Sequence, residues 1–172
     1  DQSDGRKWLA HNAQLALDIS KKGDFFPNYL HAYAAGLSVQ TLTLLIQRQT
    51  LLEIDMFDPN LTWAQDADLA LRLAYRYPSV GYIPEPLAWY EHRRPGSIAS
   101  RNRTNVGLRC DFITRHLELS RRHGCLAAFQ PCAVRLVQRW IREIATIDPG
   151  TDTSRFLQEF PDLLSANLRR EI

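Results

Sequence analysis

Asp66 is the side chain whose position in this sequence most favours a chemical role. It begins a series of residues at three- and four-residue spacing that share one helix face: Leu69, Ala70, Leu73, Ala74 and Tyr77. Because an apolar face packs against a core, the pattern predicts that Asp66 projects towards the interior from the first helical turn. A carboxylate in such a place is expected to be paired, to cap the helix, or to accept a proton in a reaction.

Arg93 and Arg94 are the candidate anion-binding residues. They precede Pro95, Gly96 and Ser97, which are typical of a loop. Guanidinium groups match the oxygens of a phosphate or diphosphate. Arginines are equally common on exposed loops, so both interpretations stay open.

The three cysteines, Cys110, Cys125 and Cys132, predict free thiols rather than a metal site. Their number is odd, and no two of them form a Cys-x-x-Cys pair. A structural zinc site needs four ligands in paired spacing.

The helix that carries Asp66 has recognisable ends in the sequence. Thr62 and Gln65 fit a capping box, which predicts that the helix starts at Trp63. Pro78 predicts the end of the helix, because proline removes a backbone donor and restricts the residue before it.

Other charged residues are expected on the surface. Asp68 and Arg72, four residues apart, are placed on the opposite helix face as an exposed pair that contributes a few tenths of a kcal/mol. Residues 101–172 hold twelve arginines and eight acids, whereas residues 1–100 hold nine basic and eleven acidic residues. Arg135, Arg139 and Arg142 line one side of a helix whose other side is apolar. A solvated face is expected there, and contact with a membrane surface is the alternative.

Extended segments flank the helix that carries Asp66. Three short helices are predicted before it and three longer ones after it. Residues 38–47 are β-branched and apolar and predict a strand, while 79–92 predict an extended edge segment because Pro84 and Pro86 limit pairing. Periodicity and breakers predict helices over 7–20, over 25–35 with a start around Pro27, and over 50–57, 105–122, 126–147 and 154–170.

The bulk composition indicates an ordinary folded protein. The 172 residues are 45% hydrophobic and 23% charged, which is enough for one core or for a core with an appended helical lobe. No apolar run approaches the roughly 18–20 residues that a membrane-spanning helix needs. The first residue is Asp1 rather than Met, so we expect the chain to be a piece of a longer protein.

Five motifs between residues 38 and 100 form the second functional signal. They read TLLIQR at 43–48, MFD at 56–58, QDADLALRL at 65–73, VGYIPEPLAWY at 80–90 and RRPGSIAS at 93–100. In this order and spacing they resemble the acceptor half of bacterial inverting glycosyltransferases of family 2. Two positions depart from the family pattern: Gln65 stands in place of the usual glutamate before Asp66, and Met56 in place of the usual glycine before Phe57.

The resemblance implies an α/β protein, the C-terminal part of a GT-A-like fold (the fold of nucleotide-diphospho-sugar transferases) with an appended three-helix region. Residues 1–102 would form the acceptor-side part of the transferase domain, and residues 103–172 the helical C-terminal region. The donor-binding half with its own metal-binding Asp-x-Asp signature is not found in these 172 residues, and the run Asp66-Ala67-Asp68 belongs to the acceptor motif. The chain alone is therefore expected to be inactive.

The same resemblance implies roles for the site residues. Asp66 would be the general base that deprotonates the acceptor hydroxyl. Trp63 and Gln65 would bind the acceptor, although Trp63 is equally expected as a core residue. The donor diphosphate and its Mn²⁺ or Mg²⁺ ion would be held by residues of the next loop: Arg93, Arg94 and Ser97 for the diphosphate, and His92 as a metal ligand.

The partners implied are a nucleotide-sugar donor and a saccharide or lipid-linked acceptor, with no nucleic acid. A cytoplasmic location in bacterial polysaccharide biosynthesis follows, with peripheral contact at the inner face of the membrane as a further expectation. The alternative hypothesis is a non-catalytic remnant of a glycosyltransferase that binds a glycan or a protein. Strands and an Asp-x-Asp motif encoded upstream of Asp1 would discriminate between the two.

Overall fold

The computed structural model describes residues 25–83, 85, 87–88 and 101–168, with side chains described to residue 164. The chain divides into two compact units, Asp1–Asn60 with Ala64–His92, and Leu61–Trp63 with Arg93–Ile172. The predicted helix over 7–20 lies outside the described residues. Within the described part, no helix combines the length and the apolar character needed to cross a bilayer.

The first unit contains short elements around one longer helix. In chain order these are β1 (Phe25–Phe26), α1 (Tyr29–Ala34), a 3-10 turn (Thr41–Thr43), α2 (Arg48–Glu53), α3 (Gln65–Arg76) and β2 (Val80–Gly81). β1 and β2 pair antiparallel, with Phe25 opposite Gly81 and Phe26 opposite Val80.

The core of the first unit starts at Phe26, which is fully buried and meets the ring of Tyr82 edge-to-face at 5.1 Å. Asn28 caps α1, since its Oδ1 accepts a hydrogen bond from the backbone N–H of Leu30 at 2.9 Å. The N–H of Tyr29 donates to the carbonyl of Pro78 at 2.8 Å. The start of α1 is therefore tied to the segment that leads into β2.

Several boundaries predicted for this unit are wrong. Residues 38–47 form no strand: they hold only the 3-10 turn, and Leu45 is fully exposed. The helix predicted within 25–35, with its start near Pro27, begins at Tyr29, and Phe25 and Phe26 pair with β2 instead. The predicted helix over 50–57 is α2, shifted towards the N-terminus. Of the extended segment 79–92, only β2 is a strand among the described residues.

α3 begins differently from the prediction and ends as predicted. No capping box forms at its start. The N-cap is Ala64, which adopts a left-handed conformation with φ 57° and makes no side-chain hydrogen bond. The helix ends at Arg76, with Tyr77 as its C-cap, directly before Pro78.

Within the described residues, all the regular secondary structure of the second unit is helical. Its helices are α4 (Val106–Arg122), α5 (Leu126–Ile147), α6 (Ser154–Glu159) and α7 (Pro161–Leu168). The predictions over 105–122 and 126–147 are confirmed. The prediction of one helix over 154–170 is wrong, because the chain breaks at Phe160, whose φ and ψ are −127° and 47°. Pro161 disfavours the helical conformation for the residue before it.

α4, α5, α6 and α7 pack around one apolar core. Its largest fully buried side chains are Ile113, His116, Phe129, Val137, Ile144 and Phe156. Two of the three cysteines, Cys110 and Cys132, are buried there as thiols outside any disulfide, and burial raises the pKa of Cys110 to about 11.

The turn between α4 and α5 is a Schellman motif centred on Gly124. Gly124 has φ 69°, and its N–H donates to the carbonyl of Arg121 at 3.1 Å. The N–H of Cys125 donates to the carbonyl of Ser120 at 2.8 Å. The last carbonyls of α4 are satisfied in this way, and the left-handed residue is a glycine because it has no Cβ.

We expect Gly124→Ala to lower the free energy of unfolding by about 1 kcal/mol, since a side chain strains the left-handed conformation. Urea denaturation measures this difference. Gly150→Ala is the matched control: its φ is not in the left-handed region, and the added Cβ would meet Asp148 Oδ1 at 3.5 Å, an ordinary contact. Equal stability of the two variants would contradict the assignment of the motif.

Candidate functional site

Asp66 is the second residue of α3, half-buried, in the first helical turn. Its Oδ1 accepts a hydrogen bond from the N–H of Ala67 at 2.8 Å. Among the described residues, Oδ2 has neither a hydrogen-bond nor an ion-pair partner. A carboxylate is favourable at this end of a helix because the backbone dipole is positive there. Asp66 is thus oriented by one oxygen and can accept a proton or a hydrogen bond on the other.

Asp68, two residues further, is fully buried. The Nε of Arg72 donates to its Oδ2 at 2.7 Å, and the Arg72 side chain is 13% exposed. The prediction of an exposed pair with little energetic weight is therefore wrong. The buried surface of α3 is wider than the helix face that the sequence predicted, since Leu71 and Tyr75 outside that face are also buried. Asp68 belongs to this wider buried surface.

Arg72 also fastens the turn that follows α2. Its Nη1 donates to the carbonyl of Ile54, and its Nη2 donates to the carbonyl of Met56 at 2.6 Å. Asp55 and Met56 are consecutive non-glycine residues with φ of 61° and 53°. Such conformations cost about 1 kcal/mol or more each and persist only where the surroundings hold them. Arg72 supplies that support.

A second set of polar contacts joins the end of α2 to the end of α3. Arg76 donates from Nη1 to the carbonyl of Glu53 at 3.0 Å, and the hydroxyl of Tyr77 donates to Glu53 Oε2. The tyrosine hydroxyl and the Gln49 amide hold the pKa of Glu53 below its usual value. Cations and donors near a helix C-terminus satisfy its free carbonyls. α2 and α3 are consequently joined by several hydrogen bonds.

These contacts hold the short turn that carries Met56, Phe57 and Asp58. Met56 and Phe57 are 49% and 40% exposed. Asp58 Oδ1 accepts from the backbone N–H of Asn60 at 2.9 Å and closes the turn. No feature of the linear pattern revealed this framework, although the spacing of Asp68 and Arg72 was visible in it.

Trp63, a predicted acceptor contact, belongs to the second unit. Its ring lies 5.6 Å from that of Trp140 and 6.0 Å from that of Phe112. The guanidinium of Arg109 lies 5.1 Å from its centroid. The structure thus gives Trp63 a packing role in an aromatic cluster, and its contact with an acceptor stays a prediction. The other predicted acceptor contact, Gln65, is the half-buried first residue of α3.

Arg109 is the buried cation of that cluster, with 3% of its surface exposed. It stacks on Trp63 and also on Trp140, at 5.6 Å. Its Nη1 donates to the carbonyls of Asn102 and Asn105 at 2.7 and 3.2 Å. Desolvation lowers the pKa of Arg109, and within the described part of the chain no carboxylate forms an ion pair with it. The sequence pattern contained no signal for this burial.

The predicted donor-side residues, Arg93, Arg94, Ser97 and His92, lie outside the described residues. Within residues 25–83, 85, 87–88 and 101–168, no group of three His, Cys, Asp or Glu side chains is placed to hold a metal ion. The described residues therefore do not fit a metal site. The Mn²⁺ or Mg²⁺ ion stays a prediction.

The chain is similar to the O-antigen biosynthesis protein RfbC of Myxococcus xanthus. The two are 30% identical over 135 residues, which cover 73% of this chain and 10% of the relative. The chain thus spans about a tenth of the length of that protein. No protein-family model matches the chain. No solved structure matches it.

We expect Asp68→Asn to lower the free energy of unfolding by about 3 kcal/mol. Removing one partner of a buried ion pair leaves the other charge uncompensated, which typically costs ~3–5 kcal/mol, and asparagine keeps part of the hydrogen bonding. Chemical denaturation measures the change. Arg76→Gln, at a side chain that is 50% exposed, is the control and should change stability by less than about 1 kcal/mol. A loss below 1 kcal/mol for both variants would contradict the burial of Asp68.

Proposed function

We propose that this chain forms the acceptor-side part of an inverting, family 2-like glycosyltransferase with a GT-A-type fold. The enzyme would act in bacterial polysaccharide biosynthesis. The observation that carries the proposal is the geometry of Asp66: a half-buried carboxylate on the first turn of α3, oriented through Oδ1 and with Oδ2 open among the described residues. The ordered motifs around it supply the reaction class.

The similarity to a protein named for O-antigen biosynthesis supports the same conclusion from a separate direction. It covers 73% of the chain, more than the motif region alone. It supports a role in building a polysaccharide, and the transfer mechanism is inferred from Asp66.

In the proposed reaction Asp66 takes the proton of an acceptor hydroxyl. The acceptor oxygen forms a bond to the anomeric carbon of the donor sugar, on the side opposite the leaving group. The bond between that carbon and the nucleoside diphosphate breaks, the diphosphate leaves with the electron pair, and the configuration inverts. One correctly placed carboxylate is sufficient as the base.

Gln65, directly before the base, would contact the acceptor as a neutral hydrogen-bonding group. A glutamate there would add a second negative charge next to Asp66. With glutamine, the base carries its charge without a like-charged neighbour at that position. Trp63, half-buried in its aromatic cluster, would contact a sugar ring with the part of its side chain that stays exposed.

The remaining groups of the proposed site are those of the donor side. Arg93, Arg94 and Ser97 would hold the diphosphate of the nucleotide-sugar, with His92 beside its divalent ion. The acceptor would be a saccharide or a lipid-linked saccharide, and the reaction would take place in the cytoplasm or at the inner face of the membrane.

Asp66→Asn in the full-length protein should lower turnover by ~10²–10⁴-fold, because it keeps the shape of the side chain and removes the proton acceptor. The assay is the release of nucleoside diphosphate from UDP-, GDP- and dTDP-sugars in the presence of saccharide acceptors. Donor affinity and melting temperature should change little, since the hydrogen bond from the Ala67 N–H is preserved.

Asp162→Asn is the matched control, because Asp162 occupies the same second position in the first turn of α7 and is exposed. It should keep near-normal turnover. Full activity of Asp66→Asn would show that Asp66 only stabilises the helix start. A full-length protein that binds glycans but releases no nucleoside diphosphate would support the non-catalytic remnant instead.

A further inference from the structure

The second unit contains a groove of about 510 Å³ between the turn before α4 and the outer side of α5. We call it the arginine groove. Its lining residues are Arg103, Arg139, Arg142, Glu143, Thr146 and Ile147.

The charges of the arginine groove are unbalanced. Three guanidinium groups face one carboxylate, and the Nε of Arg103 lies 3.9 Å from Glu143 Oε1, with the two side chains 56% and 35% exposed. Within the described residues, no carboxylate pairs with Arg139 or Arg142. The groove is therefore left with the excess of two positive charges.

The arginines converge because two elements supply them. Arg139 and Arg142 are three residues apart on α5, on the side opposite the buried Val137, Trp140 and Ile144. Arg103 reaches the same space from the turn before α4. A solvated helix face would place its arginines side by side along one helix, whereas here a third guanidinium from another element lines the same open groove.

A further cation adds to the local potential. Arg109 is buried in the same unit: burial lowers the pKa of its guanidinium, Glu143 raises it, and the positive charge of Arg139 lowers it. Four arginines and one carboxylate thus act on one region. A groove with an excess of positive charge raises the local concentration of anions.

We propose that the arginine groove is a binding site for a phosphate or diphosphate group. Guanidinium groups bind phosphate oxygens through paired N–H donors, and they combine charge with a fixed planar geometry. Such a group can come from a soluble phosphorylated compound or from the headgroup of an anionic lipid. Ile147, 41% exposed at the groove, is compatible with either source. The proposal does not depend on sugar transfer by Asp66.

Two probes test the proposal on the full chain. Calorimetry measures the binding of inorganic pyrophosphate, and co-sedimentation measures binding to phosphatidylglycerol vesicles against phosphatidylcholine vesicles. We expect saturable binding of at least one anionic probe. The double variant R139Q/R142Q should weaken it about tenfold or more, because each lost arginine removes a charge-assisted hydrogen bond. R139K/R142K keeps the charge but loses the paired N–H donors of the guanidinium groups. Its affinity should lie between those of the unmodified chain and R139Q/R142Q.

The matched control is R121Q/R122Q. It removes the same charge from the same unit, at arginines that both pair with Glu118 on α4. It should bind the probes nearly as the unmodified chain does. Binding of pyrophosphate would identify a soluble phosphate site, and binding of phosphatidylglycerol alone would identify a lipid headgroup site. No binding of either probe, or an equal loss in both double glutamine variants with melting temperatures unchanged, would overturn the proposal.

Discussion

The ion pair between Asp68 and Arg72 is the interaction on which the described part of the first unit depends. A carboxylate taken out of water is costly unless a cation and hydrogen bonds compensate for the lost solvent. Arg72 compensates Asp68 and also binds the carbonyls of Ile54 and Met56. One side chain therefore stabilises a buried charge on α3 and a strained turn after α2.

The second unit also buries a charged side chain, but no carboxylate among the described residues pairs with it. Arg109 is buried against the rings of Trp63 and Trp140, and two backbone carbonyls accept its hydrogen bonds. Aromatic faces attract a cation and exclude water, so they offset part of the desolvation cost. Because those carbonyls belong to Asn102 and Asn105, the same contacts anchor the turn at the start of α4. In both units an arginine satisfies main-chain carbonyls that regular structure leaves free.

The proposed chemistry uses the rigidity that the first of these interactions provides. A general base contributes most when its position relative to the substrate is fixed before the reaction. Asp66 stands two residues before the buried Asp68 on the same helix, so the anchoring of α3 limits the movement of its carboxylate. The arginine groove lies in the other unit and would handle a different chemical group, a phosphate. The two proposed sites therefore rest on separate sets of contacts.

The sequence by itself determined the long helices and one important terminus. α4 and α5 follow from apolar periodicity over many turns, and α3 ends before Pro78 because proline acts locally. Only the tertiary structure decided the rest. Residues 38–47 have strand-like composition, but β-structure needs a neighbouring strand, and in the described residues none pairs with them. The spacing of Asp68 and Arg72 predicted their pairing, whereas their burial and the packing of Trp63 came from residues distant in the chain. Apolar periodicity cannot detect a charge that is buried because a partner compensates it.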